Sequence, residues 1–443
     1  MAIVLKNLAQ VTLPEEHRRE VLELFVHTNR DGVSIRNYKY KDGVAYLPLN
    51  MRKLAYVSKL LNEPIVDERT PGADLSAPFT LNPLFTFREH QEKPANDLVA
   101  HCLRNNYAVL SAPCSCGKTV VMAYAAGKLG RKVLVLVDMG SLQSQWAEAF
   151  EIVWNKKVQI IDRNSKEFAD VCVATFQLLH LNPELVKAIK THFGTLLLDE
   201  FHSTQSDTRR EVLTKMNNQY RIGCTATLMK KGYSDEVLTD MVSDVSVEMI
   251  DPKALKADVF FVDSGVKFYS NNSDDWGKIQ SKLGSSDARN AFVAGLVMDR
   301  VLWGRKVLLI GVTLESLGVI AKHLYKNCPE CKLRVYIGST KLKEDQALRA
   351  DLANGTINVI GTVKKADKGL DLPSLDCLIL ARPANNEAFV TQIAGRIVRP
   401  VDGKPTPEIY DVVDRGELAV RFAGNRRRWY RKLGYSVQNT IDK

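Results

Sequence analysis

The stretch SAPCSCGKTVVMAY, Ser111 to Tyr124, sets Gly117, Lys118 and Thr119 side by side. A β-branched run, YAVL at 107–110, leads into it, and TVVMAYAAGKLG continues as a helical pattern closed by Gly130. Backbone N–H groups at a helix start, with a lysine and a hydroxyl beside them, make a cradle for phosphate. Lys118 would neutralise β- and γ-oxygens, and Thr119 would ligate Mg2+. Gly117 is the place where backbone must approach oxygen closely. The general pattern G-x-x-x-x-G-K-[ST] is incomplete, since Ala112 stands at its first glycine and Cys114 and Cys116 lie inside the loop. Three readings compete: a nucleotide loop, a C-x-C redox pair, and a helix start with an incidental lysine. The strand–loop–helix setting favours the first.

LLLDEFHS at 196–203 is an apolar strand ending in two adjacent carboxylates. In a parallel sheet they fall at the carboxyl edge, where such sheets bind ligands. Asp199 would then hold the Mg2+ shell, and Glu200 would orient and deprotonate an attacking water. Alone, such a pair is usually a helix cap; about 80 residues beyond a phosphate loop it is far more specific. In QIAGRIVRP at 392–400, the spacings of four and three put Gln392, Arg396 and Arg399 on one helix face, ended by Pro400. That face is an ordinary solvated one in isolation. Opposite a γ-phosphate it becomes a pair of arginine fingers.

These groups need elements that bring them together. From Leu84 onward short strand-like runs alternate with helical stretches, which implies parallel sheets covered on both faces. The runs fall at 107–110, 132–137, 158–161, 171–176, 195–198 and 220–224, then at 306–311, 334–338, 357–362, 377–382 and 408–413. A less regular stretch, about 228–285, separates the two series, and its YSNNSDDWG reads as linker or surface loop. The division expected is a small N-terminal α+β domain (1–83), two α/β domains (84–265 and 266–415), and a basic C-terminal helix (416–443). The first 83 residues carry a helical stretch at 14–28, the hairpin-like YKYKDGVAYLPL and a helix near 51–61.

A chain of 443 residues suits roughly two to four domains. Its net charge of +10 leans toward nucleic acid or another anionic surface. The eight cysteines are scattered, most of them in apolar runs, as in a reducing cytosol. No signal peptide or membrane-spanning run is legible. CPEC at 328–331 has the spacing of half a zinc site without a second half, and reads as a turn.

Asp199-Glu200-Phe201-His202 is a D-E-x-H box, and with it the chain resembles the superfamily 2 helicases and translocases over about residues 85–415. That resemblance implies two RecA-like domains in tandem, ATP and Mg2+ as cofactors, and hydrolysis coupled to movement on nucleic acid. FREHQ (87–91) is similar to the element preceding the phosphate loop, so Arg88 and Gln91 would contact nucleotide, with Gln91 at adenine. Pro113, Cys114, Ser115 and Cys116 would complete the loop, where Ser115 replaces a usual glycine. The sequences at 135–150 and 173–179 resemble motifs Ia and Ib, which would offer Ser141, Gln145, Thr175 and Gln177 to a nucleic-acid backbone. CTATL (224–228) resembles motif III, where Thr225 and Thr227, with His202, would couple ATP state to domain position. GTVKKADKGLDLPSLD (361–376) resembles motif V, with Thr362 toward nucleic acid and Gly369 and Asp371 toward nucleotide. QIAGRIVRP matches motif VI.

Residues 46–72 look like the segment preceding the motor in phage UvsW-type branch-migration helicases and their XPB-like relatives. The function expected is an ATP-dependent DNA helicase or translocase on branched DNA, serving replication, recombination or repair. A DExH-type RNA helicase and the motor subunit of a restriction system are the alternatives. A monomer in the cytoplasm, the host's if phage-encoded, is expected. Arg426, Arg427 and Arg428 lie beside Trp429 and Tyr430, an interleaving that suits a nucleic-acid groove; with the aromatics packed inward, the arginines would face phosphates. Arg30, Arg36, Lys39, Lys41, Arg52, Lys53 and Lys59 fall around the N-terminal hairpin and the helix after it, and would form a basic face.

Overall fold

The computed structural model describes residues 2–28, 32, 34–113, 116–199, 207–225, 240–242, 246–267, 276–337, 342–363 and 372–438. The chain divides into two units, Met1–Asp251 and Pro252–Lys443.

The first unit opens with β1 (Ile3–Leu5), β2 (Ala9–Thr12), β3 (Val26–Thr28), β4 (Ser34–Arg36), β5 (Lys39–Lys41), β6 (Val44–Leu47) and β7 (Ile65–Asp67). Five of these form a sheet in the order β5-β6-β2-β1-β7, and β3 pairs with β4. The expected hairpin is β5–β6, and Asp42 and Gly43 both take positive φ at its turn, 50° and 77°. Such a turn matches the twist of the strands it joins, which is why Asp-Gly is favoured there. The helix expected over 14–28 is shorter, Glu15–Glu23, because Val26–Thr28 pairs with Ser34–Arg36 instead. The helix Met51–Leu61 matches its expectation and is capped by Asn50, whose side chain accepts from Lys53 N.

Buried polar contacts tie this small module to the rest of the first unit. Asp240 is fully buried, and its carboxylate has His27 Nε2 and Lys53 Nζ each at 2.6 Å. Asn37 and Asn50 amides donate to the same carboxylate at 3.2 Å. Lys53 therefore turns inward and is not part of a basic outer face. Arg69 donates to the Tyr107 hydroxyl at 2.7 Å and the Gln219 carbonyl at 3.1 Å.

The first unit's large sheet comprises β8 (Tyr107–Ser111), β9 (Val133–Val137), β10 (Gln159–Ile160), β11 (Val171–Thr175), β12 (Thr195–Leu198), β13 (Tyr220–Thr225) and β14 (Val247–Glu248). Its order is β10-β11-β9-β12-β13-β8-β14, and every pairing is parallel. Alternate residues of one strand enter opposite cores: Val133, Val135 and Val137 meet Trp146 and Phe150, while Leu134 and Leu136 meet Phe176 and Leu213. Burial on both faces is what unbroken apolar strands such as KVLVLV require.

The second unit repeats the plan with β15 (Asp258–Lys267), β16 (Val307–Ile310), β17 (Leu333–Val335), β18 (Val359–Thr362), β19 (Cys377–Leu380), β20 (Glu408–Arg415) and β21 (Ser436–Gln438). The order is β17-β18-β16-β19-β20-β15-β21, again parallel. β15 lies within the stretch read as irregular, and the division expected at 265/266 cuts through it. Its pairing with β20 and β21, and the burial of Val259 and Phe261, place it in the second unit, which begins at Pro252. CPEC is a turn closed by Cys331 N on Cys328 O at 3.0 Å; burial pushes the Cys331 thiol up to about 12.

The C-terminal helix Glu417–Lys432 packs on β20 and β21. Arg426 is accordingly not a nucleic-acid contact: it is 1% exposed. Its guanidinium donates to both Asp411 oxygens at 2.7 and 2.6 Å and to Ala384 O at 2.8 Å. Burial alone would lower its proton affinity, but Asp411 outweighs this and the net shift is upward. Tyr430, fully buried, donates to Asp411 at 3.2 Å. Arg427 lies 4.7 Å from the Phe261 ring centroid, and Arg428 is exposed. Arg426→Ala strands a buried carboxylate and should cost about 3–5 kcal/mol in urea melts, whereas Arg428→Ala should change stability by less than about 0.5 kcal/mol.

Candidate nucleotide-binding site

β8 ends at Ser111, and the helix Lys118–Lys128 begins directly after Gly117, which takes φ 82° and ψ 37°. Cys114 and Ser115 lie outside the described residues. Pro113 is exposed. Cys116 is 2% exposed inside the same core as Val121, where it packs as a small apolar side chain. A Cβ on Gly117 would stand 2.3 Å from Gln91 Nε2, the far end of a flexible side chain, so it is the left-handed backbone that favours glycine there. Gln91, 3% exposed, donates to Cys116 O at 2.9 Å and accepts from Arg88 N at 3.0 Å. Gln91, expected at adenine, also braces the loop. Lys118 and Thr119 are half-buried in the first helical turn, where backbone N–H groups lack helical partners.

Asp199 follows β12, two strands from β8 with β13 between them, and parallel strands put both carboxyl ends at one edge. Two strand spacings are about 10 Å. Asp199 Oδ2 accepts from Trp146 Nε1 at 3.0 Å, and Oδ1 accepts from Cys224 Sγ at 3.4 Å. Neither partner stands out in the sequence, although Trp146 adjoins Gln145 and Cys224 adjoins Thr225. Both orient the carboxylate. A hydroxyl from Thr119 and a carboxylate from Asp199 are the hard oxygen donors that suit Mg2+. Thr225 is fully buried, and its carbonyl accepts from Ala112 N at 3.0 Å, which joins motif III to the start of the loop. Glu200, His202 and Thr227 lie outside the described residues.

The expected nucleic-acid residues scatter by environment. Ser141 is in the first turn of the helix Gly140–Trp154, Gln145 on that helix is half-buried, and Gln177 is exposed. Thr175 caps the helix Phe176–Leu181, its hydroxyl accepting from Leu178 N at 3.1 Å. Thr362 is 1% exposed at the end of β18 and presents no surface to a strand. Gly369 and Asp371 lie outside the described residues. Gln392 is buried and Arg396 half-buried on the helix Glu387–Ile397. Arg399 is two residues past its end, so the three do not share one helix face; the residue before a proline is pushed out of helical backbone, and the helix stops short of Pro400.

Lys404 holds the chain beside Arg399. Its ammonium donates to Arg399 O at 3.0 Å and Pro373 O at 2.8 Å. Burial pushes it down from 10.5 to about 8, Asp376 opposes that shift and Arg399 adds to it. Between about 8 and 10.5 the unfolded lysine is protonated and the folded one neutral, so this group's contribution to stability rises with pH. Urea melts of wild type and Lys404→Met at about pH 7 and about pH 9.5 should show wild type gaining on the variant at the higher value.

Among the described residues no helix is long and apolar enough to cross a membrane. Residues 84–230 match the family described as type III restriction enzyme, res subunit, and residues 293–401 match the helicase conserved C-terminal domain. A probable helicase of Escherichia phage T5 is 24% identical over 84% of this chain and 80% of its own. The DNA 3'-5' helicase XPB of Kineococcus radiotolerans is 24% identical over 74% of this chain and 61% of its own. A solved structure of S. cerevisiae Dbp5 bound to RNA and ADP BeF3 superposes with a TM-score of 0.59 at 13% identity, covering 79% of this chain and 90% of that one, a likeness of fold. With both motor domains matched in order over two RecA-like sheets, the chain belongs to the superfamily 2 helicases and is an ATP-dependent helicase.

Proposed function

We propose that this helicase acts on DNA, and on branched DNA in particular, as phage branch-migration helicases of the UvsW type do. ATP and Mg2+ are assigned to the loop of Gly117, Lys118 and Thr119, with Asp199 in the metal shell and Glu200 as the base for water. Arg396 and Arg399, with Gln392, are assigned to the charge that develops on the γ-phosphate. The left-handed Gly117 carries the nucleotide reading: it starts the helix whose first turn holds Lys118 and Thr119, so backbone N–H groups, an ammonium and a hydroxyl share one short span. Lys118→Ala should abolish hydrolysis and weaken ATP binding, whereas Glu200→Gln should abolish hydrolysis while ATP still binds. Hydrolysis surviving in either variant ends the assignment.

Branch preference is assigned to the N-terminal module. A motor that follows a nucleic-acid backbone has no intrinsic means of sensing where strands diverge. Arg36, Lys39, Lys41, Arg52 and Lys59 are exposed on this module, around the β5–β6 hairpin and the helix Met51–Leu61. The module's buried ties through Asp240 and Arg69 give such a face a fixed seat on the motor domain. Two relatives, the phage T5 protein and the bacterial XPB, carry helicase names, and the second is named a DNA helicase. Replacing Arg36, Lys39 and Lys41 together by glutamate should leave ATP hydrolysis on single strands intact and lower unwinding of forks and four-way junctions. Each lost phosphate contact should also remove about one unit from the log–log salt slope of binding. Equal stimulation by RNA would overturn the DNA reading, and an unaltered junction preference would overturn the role of the module.

A further inference from the structure

His90 stands between the phosphate loop and the point where the chain leaves the first unit. It precedes Gln91, the cap of the helix Glu92–Asn105, and that helix packs on β8 and β14. The imidazole side chain is 8% exposed and meets two acceptors. Nε2 lies 3.2 Å from the carbonyl of Cys116, the peptide oxygen just before Gly117 and the one already held by Gln91. Nδ1 lies 3.4 Å from Oδ1 of Asp251, a carboxylate that is 5% exposed. Asp251 comes three residues after β14, which pairs with β8 at Leu110 and Ser111. It is also the last residue of the first unit, and Pro252 is the first of the second.

We infer that His90 and Asp251 are positioning residues that tie the phosphate loop to the chain crossing between the two units, so that the loop's state reaches the crossing through one side chain. The inference rests on the reading of this loop as the ATP site. A surface pair of this kind would carry little energy, but both groups are withdrawn from water, where a hydrogen bond or charge contact is much stronger. The ring thus stands between two acceptors, the Cys116 carbonyl at Nε2 and the Asp251 carboxylate at Nδ1. Movement of the loop carbonyl on nucleotide binding changes the first contact and thereby biases the second. Neither residue touches the reacting atoms; His90 acts through a loop carbonyl.

The test uses the full chain, with ATP affinity, basal hydrolysis, DNA-stimulated hydrolysis and base pairs of a forked DNA duplex separated per ATP as readouts. Asp251→Ala should keep ATP affinity and basal hydrolysis within about threefold, and lower base pairs per ATP about tenfold, a common size for coupling between sites. Asp251→Asn keeps an acceptor for the ring and should recover most of that loss. His90→Ala should lower base pairs per ATP similarly, and the His90→Ala/Asp251→Ala pair should lose no more than either alone, as expected of partners in one contact. An unchanged yield per ATP in Asp251→Ala, or losses that simply add in the double variant, would overturn the inference. If Asp251→Ala does not fold, His90→Gln and His90→Asn decide it: each retains one of the two contacts, and wild-type yield in both would overturn the tie. Lys118→Ala, run alongside, separates the two failures. Hydrolysis surviving there removes the nucleotide-site reading, whereas an inert Lys118→Ala beside an unchanged Asp251→Ala removes the tie alone.

Discussion

The contact between Gln91 and Gly117 fixes the geometry on which the proposed ATP site depends. Gln91 Nε2 occupies the space a Cβ would need at Gly117, and the same amide donates to the Cys116 carbonyl. The glycine's left-handed backbone then lets the chain enter the helix Lys118–Lys128 directly. With that turn in place, the N–H groups of the helix start, Lys118 and Thr119 all belong to one short span. Ala112 is bonded to Thr225, and His90 reaches the loop from outside the sheet.

Parallel pairing supplies the second constraint. Because β8, β12 and β13 run in the same direction, the loop, Asp199 and Thr225 emerge at a common edge without any contact among the intervening helices being needed. Trp146 and Cys224 then set the direction of the Asp199 carboxylate from two sides. Trp146 lies on the helix that also carries Ser141 and Gln145, so a helix proposed to face nucleic acid is bonded directly to a carboxylate proposed to face metal. In the second unit the corresponding rigidity comes from two buried ion pairs on β20. Arg289 grips Asp414 and the carbonyl of Ala381, and Arg426 grips Asp411 and the carbonyl of Ala384. Both carbonyls lie between β19 and the helix that carries Gln392 and Arg396, so the approach to that helix is held from two directions.

Local pattern alone predicted a good deal of this molecule. Unbroken apolar runs such as TLLL and CLIL have no polar face to expose and had to become central parallel strands. Gly117-Lys118-Thr119 after a strand, Asp199 at the end of another, and an Asp-Gly hairpin turn were all legible because each depends on neighbours a few residues away. β15 was not legible: its partners β20 and β21 are 150 and 178 residues distant, and the register that buries Val259 and Phe261 exists only once those strands are in place. The short reach of the first helix has the same origin, since β3 is defined by its pairing with β4.

Charge was where tertiary structure decided most. Arg426, Arg427 and Arg428 are identical in type and adjacent, and the sequence offers no reason to treat them differently. Helical rotation of about 100° per residue sends one into the core against Asp411, one over Phe261 and one into solvent. Lys53 likewise belongs by sequence to a basic surface, but an acidic partner 187 residues away draws it inward. By itself the sequence determined the two-sheet motor and its membership of a helicase superfamily, because those rest on spacing along the chain. Which cation stays at the surface and which meets a buried carboxylate depends on packing between distant segments, and only the folded chain settles it.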